Sequence, residues 1–355
     1  MKEVLYITNQ EVPYKSRLFN VIAQDVDLTV LYQSRDIGAR DSQWARSIAQ
    51  EHKVLFARES GNWLAIAFVI LKAIFSRKWD AIVIGCINEK PQYAVLLLLK
   101  MLRKSYMLNM DGEYFFCDNS LKSRVKRFFI RGAKAYLVAG EKATKSLRKI
   151  GISKPVYPYN FTSLTKEEVI KNSSESVQRE DFVLVVGQYF DYKGMDIALN
   201  MALLNKNIRY KFIGMGKRQD LFQSRYDCTQ ATNVEFIPFL QKPDLEREFR
   251  RCAAFVLPSR QECWGLVVNE AASFGTPIVS TWGSGAAVEF LSDKYPQFLA
   301  TPGDEKSLYE AMMDCLQRDN TEYSSFLKET SLRFTIERCA SAHIEAFTRR
   351  SPPPE

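Results

Sequence analysis

Short apolar runs, separated by stretches of helical length, limit the fold of this chain more than any other feature. The first half carries VLYIT, LTVLY, AIVIG, SYMLNM and AYLVAG, and the second half FVLVVG, YKFIGMG, VEFIPF, AAFVLPS and TPIVST. Between the second five lie helix candidates such as KGMDIALNMALLN, KPDLEREFRRC and WGLVVNEAASFG. Strands alternating with helices of about 10–15 residues specify βαβ units and parallel sheets. The expected architecture is α/β, with two facing Rossmann-like, doubly wound domains and a cleft at the carboxyl ends of their strands. The first domain is expected over 1–163 and the second over 181–330. The polar, serine-rich stretch 164–180 is read as a linker. A C-terminal helix over 331–350 is expected to pack back toward the first domain, and the tail 351–355 (SPPPE) to be disordered.

With 46% hydrophobic and 25% charged residues in 355, the chain has material for two cores and lacks the composition of a disordered protein. Its seven cysteines are scattered without a CxxC pair, and its only histidines are His52 and His343. Neither a disulfide scaffold nor a zinc site is expected, and a reducing, cytoplasmic compartment is the simplest reading. The start, MKEVLYITNQ, reads as a strand and not as a signal peptide. No apolar segment reaches the roughly 20 residues that span a bilayer. The nearest, WLAIAFVIL and YAVLLLL, are read as two buried helices flanking a sheet. A second reading has the first, continuing through Ile74, Phe75, Arg77, Lys78 and Trp79, lie on a membrane surface.

Charge is uneven. Up to Asn160 there are 26 basic and 14 acidic residues, a balance of +12, whereas the remainder carries −4. The densest basic run, LKSRVKRFFIRGAKAY, sets Lys122, Arg124, Lys126, Arg127, Arg131 and Lys134 around Phe128, Phe129 and Ile130. Cations beside large apolar residues suit an anionic lipid or glycan, with a solvated helix face as the plain alternative. Nucleic acid is not expected, because no helix-turn-helix, RRM or zinc-finger pattern accompanies the charge.

The first strand runs into NQEVPYKSRLFN without GxGxxG, which argues against a nicotinamide dehydrogenase. In the second half, the strand FVLVVG ends at Gly187, followed by Gln188 and then by Lys193-Gly194 at a helix mouth. A lysine beside a helix N-terminus just past a parallel strand is where a diphosphate sits. Gly214 and Gly216 let the next strand's backbone pass close to a ligand or simply turn. In PSRQECWGLVVNEAASFGTPIVS, Glu262 lies in a loop and Glu270 about five residues into the following helix, about 7–8 Å from its start. The N–H groups of Trp264, Gly265, Leu266 and Val267 suit phosphates, Glu270 a ribose diol, and Glu262 the sugar side. The plain alternative has Glu270 pairing with a nearby cation.

These segments resemble the C-terminal domain of family 4 glycosyltransferases, retaining enzymes with the GT-B fold. The likeness rests on VGQYFDYKGMDIAL, FIGMGK, NVEFIPF, LPSRQECWGLVVNEAASFGTPIVST and PGDEKSLYEAMMDCL, over about Phe182 to Leu316. More loosely, VPYKSRLFNVIAQDVDLTVLY is similar to the start of members that build bacterial surface polysaccharides. The resemblance implies a UDP- or GDP-linked sugar donor and no required cofactor or metal. It puts Glu262 on donor-sugar hydroxyls, Glu270 on the ribose and Lys193 on the diphosphate. Three departures stand out: Gln188 where the family has arginine, Cys263-Trp264 where it has glycine and phenylalanine, and Asp111 and Glu113 where many members have a histidine. Cys263-Trp264 is expected to reshape the sugar pocket.

The implied activity is hexosyl transfer to a saccharide acceptor, polyprenyl-diphosphate-linked at the inner face of the plasma membrane, in surface polysaccharide synthesis. The acceptor or membrane side is assigned to Tyr14, Lys15, Arg17, Asp111, Glu113, Lys126 and Arg127, with Asp111 as its catalytic polar group. The one DxD, Asp25-Val26-Asp27, enters a strand and is read as a loop. A nucleotide-sugar epimerase of the same fold and a non-catalytic nucleotide-sugar-binding partner are the alternatives.

Overall fold

The structure is a computed structural model that describes residues 1–34, 48–57, 62–85, 89–111, 120–175, 178–214, 216–226 and 228–349. The chain divides into two compact units, Met1–Phe161 with Ile336–Glu355, and Thr162–Thr335. Each is built on its own parallel sheet. Glu113, the tail 351–355 and residues 176–177 of the expected linker lie outside the described residues.

The strands of the first unit are β1 (Glu3–Gln10), β2 (Asp27–Ser34), β3 (Lys53–Phe56), β4 (Ala81–Ile84), β5 (Met107–Met110), β6 (Ala135–Ala139) and β7 (Val156–Tyr159). Its helices up to β7 are α1 (Pro13–Ala23), α2 (Trp63–Phe75), α3 (Lys90–Met101), α4 (Leu121–Ile130) and α5 (Gly140–Lys149). The strands pair in the order β3-β2-β1-β4-β5-β6-β7, all parallel. β4, β5 and β6 are buried at every residue, which is why they read as continuous apolar runs.

In the second unit, α6 (Lys166–Ser174) precedes β8 (Glu180–Val186), α7 (Met195–Leu204), β9 (Arg209–Ile213), α8 (Gln219–Arg225) and β10 (Val234–Ile237). Then come α9 (Lys242–Arg251), β11 (Cys252–Val256), α10 (Leu266–Ser273), β12 (Ile278–Thr281), α11 (Gly285–Leu291), β13 (Leu299–Ala300), α12 (Glu305–Gln317) and α13 (Thr321–Ser331). This sheet has the parallel order β10-β9-β8-β11-β12-β13. The last helix, α14 (Ile336–Thr348), belongs to the first unit, against α1 and β7. In both sheets the strand order reverses once, at β1/β4 and at β8/β11, and ligands of doubly wound sheets bind at such reversals.

Three expectations need correction. The stretch 164–180 is not a bare linker, because α6 opens on a capping box between Thr165 and Glu168 and buries Val169 and Asn172. Its helix signal was masked by serines, which favour caps and turns over helix interiors. The helices at WLAIAFVIL and YAVLLLL are only half buried. Ala67, Ile70 and Ala73 of α2 and Val95, Leu96 and Leu99 of α3 face the core, while Leu64, Phe68, Leu97 and Met101 are exposed. The apolar runs also missed β3, β7 and β13. β3 alternates exposed and half-buried residues at a sheet edge, β7 contains Pro158 on the opposite edge, and β13 has two residues.

A single guanidinium ties the second unit together. The last carbonyls of a helix have no partner within it. Arg179, just before β8, donates to the carbonyls of Phe249 at 3.0 Å and Arg250 at 3.2 Å in the last turn of α9. It also donates to that of Gly275 at 2.8 Å, just past the end of α10. Burial pulls its pKa below the usual arginine value, yet a guanidinium stays charged there. Arg179→Leu is expected to cost about 3 kcal/mol, a fall of roughly 6–12 °C in melting temperature. Arg179→Lys should recover little of it, since an ammonium cannot fork between two helix ends. Thermal unfolding of the two variants checks both expectations.

Candidate active site

The carboxyl end of β8 supplies Gly187 and Gln188, then a 3-10 turn over Asp191–Lys193, then Gly194 at the mouth of α7. The carboxyl end of β11 supplies the loop that reaches Glu262 and enters α10 at Leu266. These two loops meet at the reversal of strand order. Gly194 has φ +68°, and a Cβ there would lie 2.0 Å from the Pro258 carbonyl oxygen, so the loops approach as closely as backbones can. Tyr192 O accepts from Arg260 N at 2.8 Å, and the Arg260 guanidinium grips the Asp196 carboxylate at 2.8 and 2.6 Å. Asp196 is held below the ordinary range by this pair, against its burial.

Lys193 and Glu262, distant in sequence, form an ion pair in which the ammonium donates to Oε2. Glu262 is also pinned through its backbone, N–H to Gly283 O at 2.9 Å and C=O from Gly285 N at 3.3 Å. Gly265 (φ +97°) turns the chain into α10, and a Cβ there would press on Glu262 Cγ at 3.2 Å. Val268 N–H bonds back to Gly265 O, whereas the N–H groups of Leu266 and Val267 have no backbone acceptor among the described residues. That end of α10 is a positive terminus.

Trp264 precedes the mouth of α10. Its indole is buried and donates to Asn269 Oδ1 at 2.9 Å. Glu270 pairs with no cation among the described residues; Ser163 Oγ donates to Oε1 at 3.0 Å. Burial raises its carboxyl to about 7, with the Ser163 hydrogen bond opposing. Beside β8, the end of β9 brings Gly214, whose Cβ would lie 3.6 Å from Gly187 O, and Gly216, which faces open space. Gly187, Gln188, Lys193, Gly214, Gly216, Glu262, Gly265, Leu266, Val267 and Glu270 therefore gather at one end of one sheet. The chain pattern did not signal Ser163, because it lies 107 residues from Glu270.

In the first unit the sequence candidates divide. Lys15 is a buried lysine in the first turn of α1 and donates to Thr8 Oγ1 at 2.8 Å and Asn9 Oδ1 at 3.0 Å. Asp111 lies 3.9 Å from it and accepts from Tyr159 Oη at 2.6 Å, while Asn109 donates to that oxygen at 2.9 Å. Burial, with Asp111 adding to it, pushes the Tyr159 phenol well above its usual pKa, so it stays a donor. Tyr14 packs edge-on against Phe161 with ring centroids 5.4 Å apart, and Arg17 is a neighbour on α1. Lys126 and Arg127 lie apart from this cluster, on α4. His343 is buried, its Nδ1 on Cys339 O at 2.8 Å; burial lowers it to about 4, and it is neutral. Among the described residues no group of His, Cys, Asp or Glu suits a metal ion.

Residues 166–330 match the family described as glycosyl transferases group 1. The chain is 28% identical over 177 residues to the O-antigen chain mannosyltransferase C of Escherichia coli, 48% of this chain and 47% of that one. It is 25% identical over 286 residues to an uncharacterized 41.2 kDa protein in the cps region of Klebsiella pneumoniae, 76% of this chain and 79% of that one. A structure titled as trehalose-6-phosphate from E. coli bound with UDP-2-fluoro glucose superposes with a TM-score of 0.73 at 11% identity, over 99% of this chain and 100% of that one. That likeness extends the fold beyond the matched domain to the whole chain. Residues 166–330 thus match a group 1 glycosyl transferase domain, and the chain that carries this match is a glycosyltransferase whose fold is of the GT-B type.

Proposed function

We propose that the protein moves a hexose, with retention at the anomeric carbon, from a UDP- or GDP-linked donor to a saccharide acceptor carried on a lipid, in surface polysaccharide synthesis. The observation that carries the reading is the Lys193–Glu262 pair at the reversal of the second sheet, beside the open N-terminus of α10. A donor diphosphate takes Lys193 and the Leu266 and Val267 N–H groups, and Glu262 turns to the sugar hydroxyls. Glu270, about one turn along α10, takes the ribose diol. As the C1–phosphate bond breaks, these fixed donors stabilise the charge that develops on the leaving diphosphate. The acceptor oxygen bonds to C1 on the face the diphosphate leaves, and the acceptor proton passes to that phosphate. The O-antigen name of the E. coli relative, the cps region of the Klebsiella relative and the UDP-sugar in the E. coli structure support this assignment.

For the acceptor side we assign the Lys15–Asp111–Tyr159 cluster at the carboxyl ends of the first sheet, where Asp111 orients the incoming hydroxyl. The same unit offers a membrane surface on α2, α3 and α4, which pack in that sequence. On α4 the exposed residues Leu121, Val125 and Phe128 recur at helical spacing and point away from the core. Leu64 and Phe68 of α2 and Leu97 and Met101 of α3 are exposed as well. Arg124, Lys126 and Arg127 lie on α4 and Lys72, Lys100 and Arg103 on or beside α2 and α3, so the apolar stripe is set in cations. That combination fits the headgroup boundary of an anionic leaflet. Among the described residues no helix is long and apolar enough to cross a membrane.

Three measurements check the proposal. UDP- or GDP-sugars should raise the melting temperature of the parent and not of Glu270→Ala; a panel without any stabilising nucleotide would remove the donor assignment. Glu270 should also cost stability in the empty protein. Its carboxyl is near 7 folded and near 4.5 unfolded, so the folded state holds an extra proton between those values and stability falls as pH rises through them. Glu270→Gln should therefore melt higher than the parent at pH 8 and close to it at pH 4.5. Finally, the protein should co-sediment with phosphatidylglycerol vesicles at low salt. Phe68→Asp with Phe128→Asp should abolish this, and equal sedimentation of parent and variant would remove the membrane surface.

A further inference from the structure

A nucleoside diphosphate brings two to three negative charges, and among the described residues the end of the second sheet is poor in uncompensated positive ones. Lys193 is neutralised by Glu262. Arg225 faces Asp191 at 3.3 Å and donates to Tyr189 Oη at 3.2 Å. Arg260 is held by both oxygens of Asp196. Arg218 differs. It closes the 3-10 turn Gly216–Arg218 that follows β9, and its guanidinium carbon lies 4.2 Å from the ring centroid of Phe190. It has no carboxylate partner among the described residues.

Phe190 belongs to the loop that runs from Gln188 to Lys193. Its ring stacks on that of Tyr192, with centroids 5.3 Å apart and planes at 16°, and the Lys193 ammonium lies 5.7 Å from the Tyr192 ring. Two stacked rings thus carry a cation at each end, one compensated by Glu262 and one uncompensated. A guanidinium on an aromatic face keeps its edge N–H groups directed outward, where they can fork onto a phosphate. The ends of β8 and β9 adjoin through Gly187 N–H on Ile213 O at 2.9 Å, so the loop carrying Arg218 leaves the sheet beside the one carrying Lys193.

We propose that Arg218 binds the diphosphate of the donor nucleotide and supplies, from the neighbouring loop, the positive charge that Gln188 does not bring. The inference rests on the donor reading above. Isothermal titration of UDP, GDP, uridine, guanosine and inorganic pyrophosphate into the parent, Arg218→Gln and the double variant Arg218→Gln/Gln188→Arg separates the two. The expected result is a loss of about tenfold or more in affinity of Arg218→Gln for the nucleoside diphosphate, with nucleoside affinity unmoved. Gln188→Arg, placed two residues before Phe190, should restore binding in the double variant. Diphosphate affinity equal in Arg218→Gln and parent overturns the inference alone, as does an equal loss for nucleoside and diphosphate. A parent that binds neither UDP, GDP nor pyrophosphate overturns the donor reading, and the role of Arg218 with it.

Discussion

The approach of Gly194 to the Pro258 carbonyl is the constraint from which the candidate site of the second unit follows. With no Cβ at 194, the loop after β8 can lie directly on the loop after β11. Arg260 then seals the junction from one side through Tyr192 and Asp196. Lys193, adjacent to the glycine, is thereby brought beside the β11 loop, where it meets Glu262. The charge pair is thus a consequence of a backbone contact. Arg179 anchors the opposite ends of the same elements, where α9 and α10 finish. The two arginines hold the two ends of the β8–β11 pair, so the site rests on a rigid strip of sheet.

Function has a visible cost at this end of the molecule. Burying the Glu270 carboxyl with only Ser163 to satisfy it is unfavourable, and the group answers by holding its proton up to about pH 7. The Lys15–Asp111–Tyr159 cluster of the first unit solves a similar problem differently, by giving the buried ammonium and the carboxylate a set of neutral partners. The exposed stripe on α2–α4 is a third departure from the economy of a soluble fold: apolar residues are spent outward, at helical spacing, where no core requires them.

Much was legible in the chain. The repeated apolar runs specified two parallel sheets because strands covered on both faces must be apolar throughout. Gly-Thr-Pro, Lys-Gly and the Glu262/Glu270 spacing marked the loops because turns and helix mouths admit few residue types. The apolar runs also located both half-buried helices, though not which face each would show. Edge strands escaped because β3 and β7 carry mixed burial or proline. Helix α6 escaped because capping and serine content resemble a linker when read one residue at a time.

What the sequence determined by itself is local: the period of burial, the positions of turns, and the chemical types delivered to each strand end. What only the tertiary structure decided is partnership. Glu262 meets Lys193, Ser163 meets Glu270, Tyr159 meets Asp111, and Trp264 turns inward to Asn269. Three of these contacts span tens of residues or more, and those three depend on how strands order themselves in a sheet. Parallel order is settled by the packing of helices on both faces, a collective balance of buried area that no short stretch of sequence encodes.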